Sequence, residues 1–138
     1  MIPKFRAYFN RYGRIIYGIG VVNENSILVD FNGDGNCEYM FLTNDISLMQ
    51  STGLKDKNGN EIYEGDILKT RTKGFVEVRH KDGNTVVTYK SGTNTRTTLV
   101  LSSFLDKYQI SIIGNIYENG ELLDERQEWK LKKLKNYS

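Results

Sequence analysis

The alternation of apolar and polar positions predicts short β-strands along most of the chain. Residues 75–80, Phe-Val-Glu-Val-Arg-His, show it best, because two valines alternate with two charged side chains, as in a strand buried on one face. The following residues include Asp82-Gly83, a pair that accepts the backbone angles of a tight hairpin turn. Repetition of such strands and turns predicts a sandwich or a barrel-like domain.

Two runs of strands are expected, separated by a stretch of turn signals. The first run is an N-terminal antiparallel meander with strands at residues 5–9, 14–22, 26–31 and 36–42. Residues 43–60 carry mostly turn residues and little periodicity, so we place a boundary near residue 50. The second run is barrel-like, with strands at residues 66–70, 75–80, 85–90, 95–101 and 108–118.

The last twenty residues differ, because residues 121–135 have the charge pattern of an α-helix. Acidic side chains lie near its start and lysines near its end, where each group complements the helix dipole. Its leucines and Trp129 spread over two sides of the helix, so the apolar face is not a clean coiled-coil seam. We therefore predict a meander at residues 1–49, a barrel-like subdomain at residues 50–118 and a C-terminal α-helix at residues 119–138.

The composition indicates a folded chain of 138 residues with nearly balanced charge. Aromatic residues make up 12% of the sequence, which is more than disordered chains contain. The 19 basic and 17 acidic residues leave a net charge of +2, so overall charge gives no case for nucleic-acid binding. No apolar run approaches the ~18 residues of a membrane span. The absence of such a run and the single cysteine favour a soluble protein of a reducing cytoplasm without membrane contact.

Residues 30–38 resemble the start of a calcium-binding loop. Oxygen-bearing side chains occupy the first, third and fifth positions, and Gly35 occupies the sixth. The twelfth position, however, is Phe41, where such loops carry a bidentate glutamate. The flanking segments also predict strands instead of helices. We therefore expect a hairpin turn here, with weak ion binding as the alternative.

Other reactive residues are few and form no recognisable catalytic or metal-binding set. Gly18-Ile19-Gly20 lacks the third glycine and the following helix of a dinucleotide-binding loop. His80 is the only histidine and Cys37 the only cysteine, so a zinc site of the usual type lacks ligands. We expect His80 at the surface and Cys37 in the core, with a catalytic Cys–His pair as the alternative. No catalytic residue, metal ligand or cofactor is assigned.

Four carboxylates, Asp56, Glu61, Glu64 and Asp66, cluster within eleven residues. Paired carboxylates serve acid–base catalysis or metal binding in many proteins. We prefer a structural interpretation for this cluster. Asp56 and Asp66 lie in turn sequences, where aspartate side chains accept hydrogen bonds from nearby backbone amides.

Two basic clusters with aromatic neighbours raise the alternative of nucleic-acid binding. Basic side chains neutralise phosphates, and aromatic rings stack on unpaired bases. A dipole-matched helix end and one face of a sheet explain the same residues without any ligand. The candidate contacts are Arg6, Arg11, Arg14, Trp129, Lys130, Lys132, Lys133 and Lys135.

Residues 2–8, 49–67 and 112–123 are three segments that together resemble the YopX family of bacteriophage and prophage proteins. Residues 2–8, Ile-Pro-Lys-Phe-Arg-Ala-Tyr, are similar to the opening strand of the family. Residues 49–67, Met-Gln-Ser-Thr-Gly-Leu-Lys-Asp-Lys-Asn-Gly-Asn-Glu-Ile-Tyr-Glu-Gly-Asp-Ile, are similar to its long central signature. Residues 112–123 match its closing segment. The departures are Ser51, where an aromatic residue is common, and Gly120, where proline is common.

The resemblance implies a mainly β fold with a small SH3-like β-barrel, a phage or prophage source and a homo-oligomer. It implies no activity and supplies no catalytic residue. The C-terminal helix is longer and more basic than the family leads us to expect, so its role is not implied. The signature residues are expected to be structural: Thr52, Gly53, Leu54, Asp56, Gly59, Gly65, Asp66, Gly114 and Asn115.

The expected function is that of a non-enzymatic phage accessory protein in the cytoplasm of its bacterial host. Such a protein would act through contact with another copy of itself, or with a phage or host protein. Nucleic-acid binding through the basic C-terminal helix and the N-terminal arginine–tyrosine cluster is the alternative.

Overall fold

The computed structural model describes residues 4–71, 74–90 and 95–123. These residues form two antiparallel β-sheets with one short α-helix, which confirms the mainly β class. No helix among them is long and apolar enough to span a membrane.

The first sheet contains six strands and includes the predicted meander. They are β1 (Phe5–Phe9), β2 (Arg14–Asn23), β3 (Ser26–Val29), β4 (Glu38–Phe41), β5 (Ile46–Lys55) and β6 (Glu61–Tyr63). Their order across the sheet is β4-β3-β2-β1-β5-β6, so the first four strands pair with their neighbours in sequence. Short connections favour this pairing because they cost little loop-closure entropy. One core cluster covers this sheet: Ala7, Phe9, Ile16, Ile27 and Val29.

Strand β5 corrects the prediction that residues 43–60 consist mostly of turns, which is wrong for residues 46–55. The strand lies between β1 and β6 and pairs antiparallel with both, for example Leu48 with Ala7. Because hydrogen bonds form along both of its edges, sheet pairing outweighs the weak strand propensity of its small and polar residues. The strand crosses residue 50, and the division into subdomains there stays a prediction.

The second sheet contains five strands in the order β10-β9-β8-β7-β11. They are β7 (Asp66–Thr70), β8 (Gly74–Lys81), β9 (Asn84–Lys90), β10 (Arg96–Val100) and β11 (Ile110–Asn115). The turn between β8 and β9 has positive φ angles at Asp82 and Gly83, as their residue types predict. The sheet is open, with β10 and β11 at its edges, so the predicted barrel is not confirmed.

A helix that the sequence pattern does not predict, α1 (Leu101–Lys107), lies between β10 and β11. Leu101 and Phe104 are both fully buried, because a spacing of three residues places them on one face of the helix. They join the core cluster that contains Leu68, Val76, Val78, Val87 and Ile110 of the second sheet and Ile62 of β6 in the first sheet. Burial against the sheet therefore decides the helical conformation of a segment with weak local signals.

Two single-residue expectations have opposite outcomes. Cys37 is exposed in the connection between β3 and β4, so its predicted place in the core is wrong. His80 is exposed near the end of β8, as predicted. Of the predicted C-terminal helix, residues 120–123 form one turn of 3-10 helix, and residues 124–138 lie outside the described residues.

Replacement of Gly65 by alanine should destabilise the fold more than replacement of Gly59. Both glycines have positive φ angles, +87° and +83°, which cost alanine about 1–2 kcal/mol. A Cβ atom on Gly59 would meet open space, whereas one on Gly65 would lie 3.0 Å from the sulfur of Met49. Urea denaturation should therefore show an additional loss of about 1–3 kcal/mol for Gly65→Ala. Equal losses in the two variants would contradict tight packing at Gly65.

Candidate functional site

The two sheets meet where the chain passes from β6 to β7. The backbone of the turn between these strands is hydrogen-bonded to both sheets. Glu64 donates its N–H to the Gln50 carbonyl of β5, and Gly65 donates to the Val78 carbonyl of β8, both at 2.9 Å. Side chains from the two sheets converge beside this turn.

Arg6 and Asp66 form a buried ion pair across this junction. Arg6 lies on β1 and Asp66 begins β7, and the two residues are 3% and 1% exposed. Arg6 Nη2 donates to Asp66 Oδ1 at 2.7 Å and to the Glu64 carbonyl at 3.3 Å. The second carboxylate oxygen accepts the backbone N–H of Tyr63 at 2.8 Å. A single side chain of the first sheet is therefore bound to two groups of the junction, and one of them, Asp66, is also bound by the Tyr63 backbone.

Two tyrosines lie against the guanidinium group of Arg6. Its Cζ atom is 4.8 Å from the ring centroid of Tyr63 and 5.9 Å from that of Tyr17, within the range of cation–π attraction. Nη1 also donates to the Tyr17 hydroxyl oxygen at 3.4 Å. Arg6 Nε is buried and has no hydrogen-bond partner among the described residues, which costs about 1–3 kcal/mol. The carboxylate and the rings offset this cost.

An open pocket of about 450 Å³ lies against the ion pair. Its charged side chains are engaged, since Arg6 pairs with Asp66 and Glu61 lies 3.5 Å from Lys4. The lining residues are Arg6, Tyr17, Asn60, Glu61, Tyr63, Asp66 and Ile112. The charged groups that line the pocket are therefore paired with one another, while Arg6 Nε has no hydrogen-bond partner among the described residues.

The titrating groups of this pocket are set by burial and by their partners. Burial, followed by the hydrogen bond to Glu61 and its charge, raises the pKa of Tyr63 to about 12. Partial burial would raise the pKa of Glu61, but a hydrogen bond from Tyr63 and the charge of Lys4 help to hold it below its usual value. Burial raises the pKa of Asp66, and the Arg6 charge offsets part of that effect. Tyr63 and Glu61 are thus not poised to exchange protons near pH 7.

Asp56 forms a second junction, between the turn after β5 and strand β11. The residue is 7% exposed. Its Oδ1 accepts the backbone N–H groups of Asn58 and Asn60 at 2.9 Å, and its Oδ2 accepts that of Ile112 at 3.0 Å. Burial would raise the pKa of Asp56, but these three hydrogen bonds hold it below its usual value. The ionised carboxylate therefore ties a turn of the first sheet to an edge strand of the second.

Gly114 and Asn115 lead into a turn that side chains close. A Cβ atom on Gly114 would collide with the side chain of Asn119, which accepts the Asn115 backbone N–H at 3.2 Å. Asn115 Oδ1 accepts the N–H groups of Tyr117 and Glu118 at 3.0 and 2.9 Å. Glycine at 114 is required here by the close approach of another side chain, not by a positive φ angle.

Comparison with known protein families now decides the relationship of this chain. The family model for YopX protein matches residues 4–124. The chain belongs to the YopX family. No curated protein matches it.

Two solved structures are similar to this YopX family member. Protein EF1440 from Enterococcus faecalis has 30% sequence identity and a TM-score of 0.63, over 90% of this chain and 99% of its own. Protein yopX from Bacillus subtilis has 18% identity and a TM-score of 0.59, over 88% of this chain and 98% of its own. The second likeness shows the fold alone.

The remaining signature residues of the YopX chain shape the bend of β5 beside β6. Thr52 Oγ1 donates to the Ile62 carbonyl at 2.7 Å and accepts the Leu54 N–H at 3.1 Å. Gly53 and Gly59 have positive φ angles of 76° and 83°. With the two junctions and the turn at Gly114 and Asn115, each of the nine signature positions has a described hydrogen bond, backbone angle or packing contact.

The candidate nucleic-acid contacts do not form one surface in the described part of the chain. Arg6 is buried in its ion pair, whereas Arg11 and Arg14 are exposed around the turn between β1 and β2. Arg11 Cζ lies 5.9 Å from the Tyr12 ring centroid, and Arg14 Nη2 donates to the Phe31 carbonyl at 3.1 Å. The other candidates lie outside the described residues: Trp129, Lys130, Lys132, Lys133 and Lys135.

In the loop that resembles a calcium site, the carboxylates accept hydrogen bonds from backbone N–H groups of the same loop. Asp30 accepts the N–H groups of Asp34 and Gly35 at 3.2 and 3.0 Å, and Asp34 accepts that of Asn36 at 3.0 Å. Strands β3 and β4 pair on either side of it, which confirms the predicted hairpin. Within residues 4–71, 74–90 and 95–123, no group of three or more His, Cys, Asp or Glu is placed to hold a metal.

The sequence pattern identifies Asp66 as a turn residue but does not predict its pairing with Arg6. The two residues are sixty positions apart, and no local periodicity links them. Two observations could have indicated this pair. Arg6 and Asp66 each lie in a segment that resembles the family, and an arginine that is buried needs a carboxylate partner. Tyr17 and Tyr63 were missed for the same reason, since their shared contact is tertiary.

Replacement of Asp66 by asparagine should destabilise the protein strongly. The change leaves the Arg6 guanidinium buried without a counter-charge, which costs about 3–5 kcal/mol. Urea denaturation at pH 7 measures the loss. The matched control is Lys4→Met, because the Lys4–Glu61 pair has its lysine 70% exposed and should contribute no more than about 1 kcal/mol. Similar small losses in both variants would contradict the structural role of the buried pair.

Proposed function

We propose that this protein is a non-enzymatic phage or prophage accessory protein that acts through protein–protein contact, chiefly by self-association, in the cytoplasm of a bacterial host. The observation that carries the proposal is an exposed apolar surface on the first sheet. The bacterial sources of the two similar structures support a prophage origin.

This surface, the outer patch, consists of Leu28, Tyr39 and Phe41. Their exposed fractions are 39%, 54% and 67%. Leu28 lies directly opposite Tyr39 in the β3–β4 register, and Phe41 follows on the same face because side chains alternate along a strand. The Tyr39 and Phe41 rings are in edge contact at 5.5 Å. Aromatic side chains grouped in this way are typical of interface cores.

The second sheet supports a finer proposal, an SH3-like arrangement. Its five strands are short and antiparallel, and a single short helix precedes the last of them. Such small β domains commonly present binding surfaces for other proteins, but the fold alone does not define an activity. The interaction proposal therefore rests on the outer patch.

Self-association should weaken when the outer patch is made polar. In sedimentation velocity over a range of concentrations, we expect the full chain to form oligomers. Tyr39→Ser/Phe41→Ser should raise the dissociation constant at least tenfold, or about 1.4 kcal/mol, because two rings then lose their burial.

The matched control for this experiment is Val100→Thr, since Val100 is 48% exposed on the second sheet. It should leave the oligomer unchanged. A wild-type chain that stays monomeric at high concentration would end the self-association proposal.

Nucleic-acid binding is the second candidate, supported by the corner at Arg11, Tyr12, Arg14 and Phe31. A cleft of about 480 Å³ there is lined by Tyr12, Arg14, Phe31 and Glu38. Aromatic and basic groups suit unpaired bases and phosphates, whereas the Glu38 carboxylate repels phosphate.

A salt titration of single-stranded DNA binding tests the second candidate. Arg11→Gln/Arg14→Gln should lower the slope of log affinity against log salt by about 1.4, at ~0.7 per lost phosphate contact. Lys55→Gln, an exposed basic change on another strand, is the control. No binding at low salt by the wild-type chain would remove this candidate.

A further inference from the structure

We infer that two copies of this chain join their first sheets by antiparallel pairing of β4 with β4, with Met40 of each copy at the twofold axis. This inference rests on the proposed self-association and specifies its interface. It follows from the open edge of the sheet, the direction of the backbone groups at that edge, and the sequence of the strand.

Strand β4 is the open edge of the first sheet. Within the described residues, β3 is its only hydrogen-bonded neighbour. The opposite edge, β6, is covered, since its Ile62 and Tyr63 are 0% and 8% exposed. An open edge carries unpaired N–H and C=O groups and is a template for another strand.

The exposed aromatics are also the residues whose main-chain groups point to the open side. Leu42 donates its N–H to the Asn25 carbonyl at 2.7 Å and therefore faces β3. Hydrogen-bonding direction alternates along an antiparallel strand, so Met40 faces β3 as well. Tyr39 and Phe41 then direct their N–H and C=O groups away from the sheet. A pairing strand would bind the backbone and cover the rings of the same two residues.

Strand β4 is short and begins with Glu38, but it lacks the other features that usually protect an edge. Its sequence, Glu-Tyr-Met-Phe, contains no lysine and no proline. Its four register pairs with β3 are consecutive and include no bulge. Edge strands that must stay single usually carry such features. The edge strand of the second sheet, β10, instead begins with Arg96 and continues with two threonines.

A second copy of the strand fits this edge in one favourable register. Tyr39 would lie opposite Phe41 of the second copy, and Phe41 opposite its Tyr39, so that both pairs exchange two main-chain hydrogen bonds. The four rings would lie on one face, where aromatic cross-strand pairs contribute about 0.2–1 kcal/mol each. Glu38 would lie opposite Leu42 and not opposite a second Glu38, which avoids like-charge repulsion. The contact is isologous, as a closed dimer requires.

Other registers leave fewer outward-facing residues of β4 paired with one another. If Tyr39 lay opposite Tyr39, or Phe41 opposite Phe41, one outward-facing residue of each strand would pair beyond the four residues of β4. The central register keeps both outward-facing residues inside the strand. It also places Met40 opposite Met40 in a pair that is not hydrogen-bonded, with Cα atoms about 4.5 Å apart.

Disulfide crosslinking tests the pairing and its register. Three variants, Met40→Cys, Tyr39→Cys and Phe41→Cys, are made in a Cys37→Ser background, because Cys37 is exposed. After copper-catalysed air oxidation, Met40→Cys should run as a covalent dimer on a non-reducing gel. Tyr39→Cys and Phe41→Cys should form no covalent dimer. In the inferred register, the cysteine of one copy and the same cysteine of the other copy are diagonal neighbours about 7–8 Å apart, whereas disulfides need Cα atoms closer than ~7 Å.

The other outcomes separate this inference from the proposed function. Crosslinking mainly through Tyr39→Cys or Phe41→Cys would overturn the inferred register. Sedimentation that shows a dimer, with no crosslink in any folded variant, would overturn the β4 interface while self-association stands. A monomer in sedimentation would overturn both. Thermal denaturation of each variant establishes that it is folded.

A backbone variant tests the same interface without a thiol. Tyr39→Pro removes an N–H group that faces outward, which an edge strand tolerates, and Tyr39→Ala removes the ring but keeps that group. If the strands pair, proline should raise the dimer dissociation constant at least tenfold above the value for alanine. Equal dissociation constants in the two variants would show that the main chain of β4 takes no part.

Discussion

The buried ion pair between Arg6 and Asp66 is the interaction on which the joining of the two sheets depends. A charge withdrawn from water must find a counter-charge and hydrogen-bond partners, or the fold loses several kcal/mol. Asp66 supplies the charge, the Glu64 carbonyl a further acceptor and Tyr63 a ring face. Because Arg6 comes from β1 and Asp66 from β7, these contacts can form only when both sheets are in place. Asp56 adds a second connection through the Ile112 backbone.

In this arrangement the two aspartates of the signature segment, Asp56 and Asp66, are engaged within the protein. The carboxylates of these two aspartates accept hydrogen bonds from backbone amides, and the carboxylate of Asp66 also pairs with Arg6. Glu61 and Tyr63 hydrogen-bond to each other, and their pKa values move away from neutrality. The pocket beside them is therefore built from groups that hold the junction together. At the other edge of the first sheet lies β4, where two exposed aromatic rings and an edge left open by the described residues coincide.

Local sequence predicted the elements whose signals are local. Hairpins with Asp-Gly or Asn-Gly turns, the exposed His80 and the mainly β class follow from residue types and alternation. Strand β5 and helix α1 were missed, because the first depends on pairing along both edges and the second on burying Leu101 and Phe104. Cys37 was placed in the core on residue type alone, and its loop exposes it.

By itself the sequence determined the class of fold, the positions of most turns and the family. Turn glycines, alternation and a long signature are local patterns, so each can be recognised in consecutive residues. Only the tertiary structure decided that Arg6 belongs to a buried ion pair and not to a basic surface. Only it revealed that, within residues 4–71, 74–90 and 95–123, β6 is a covered edge and β4 an open one. Burial and edge pairing are relations between distant segments, and a charge or an aromatic ring changes its role with the neighbours that folding brings to it.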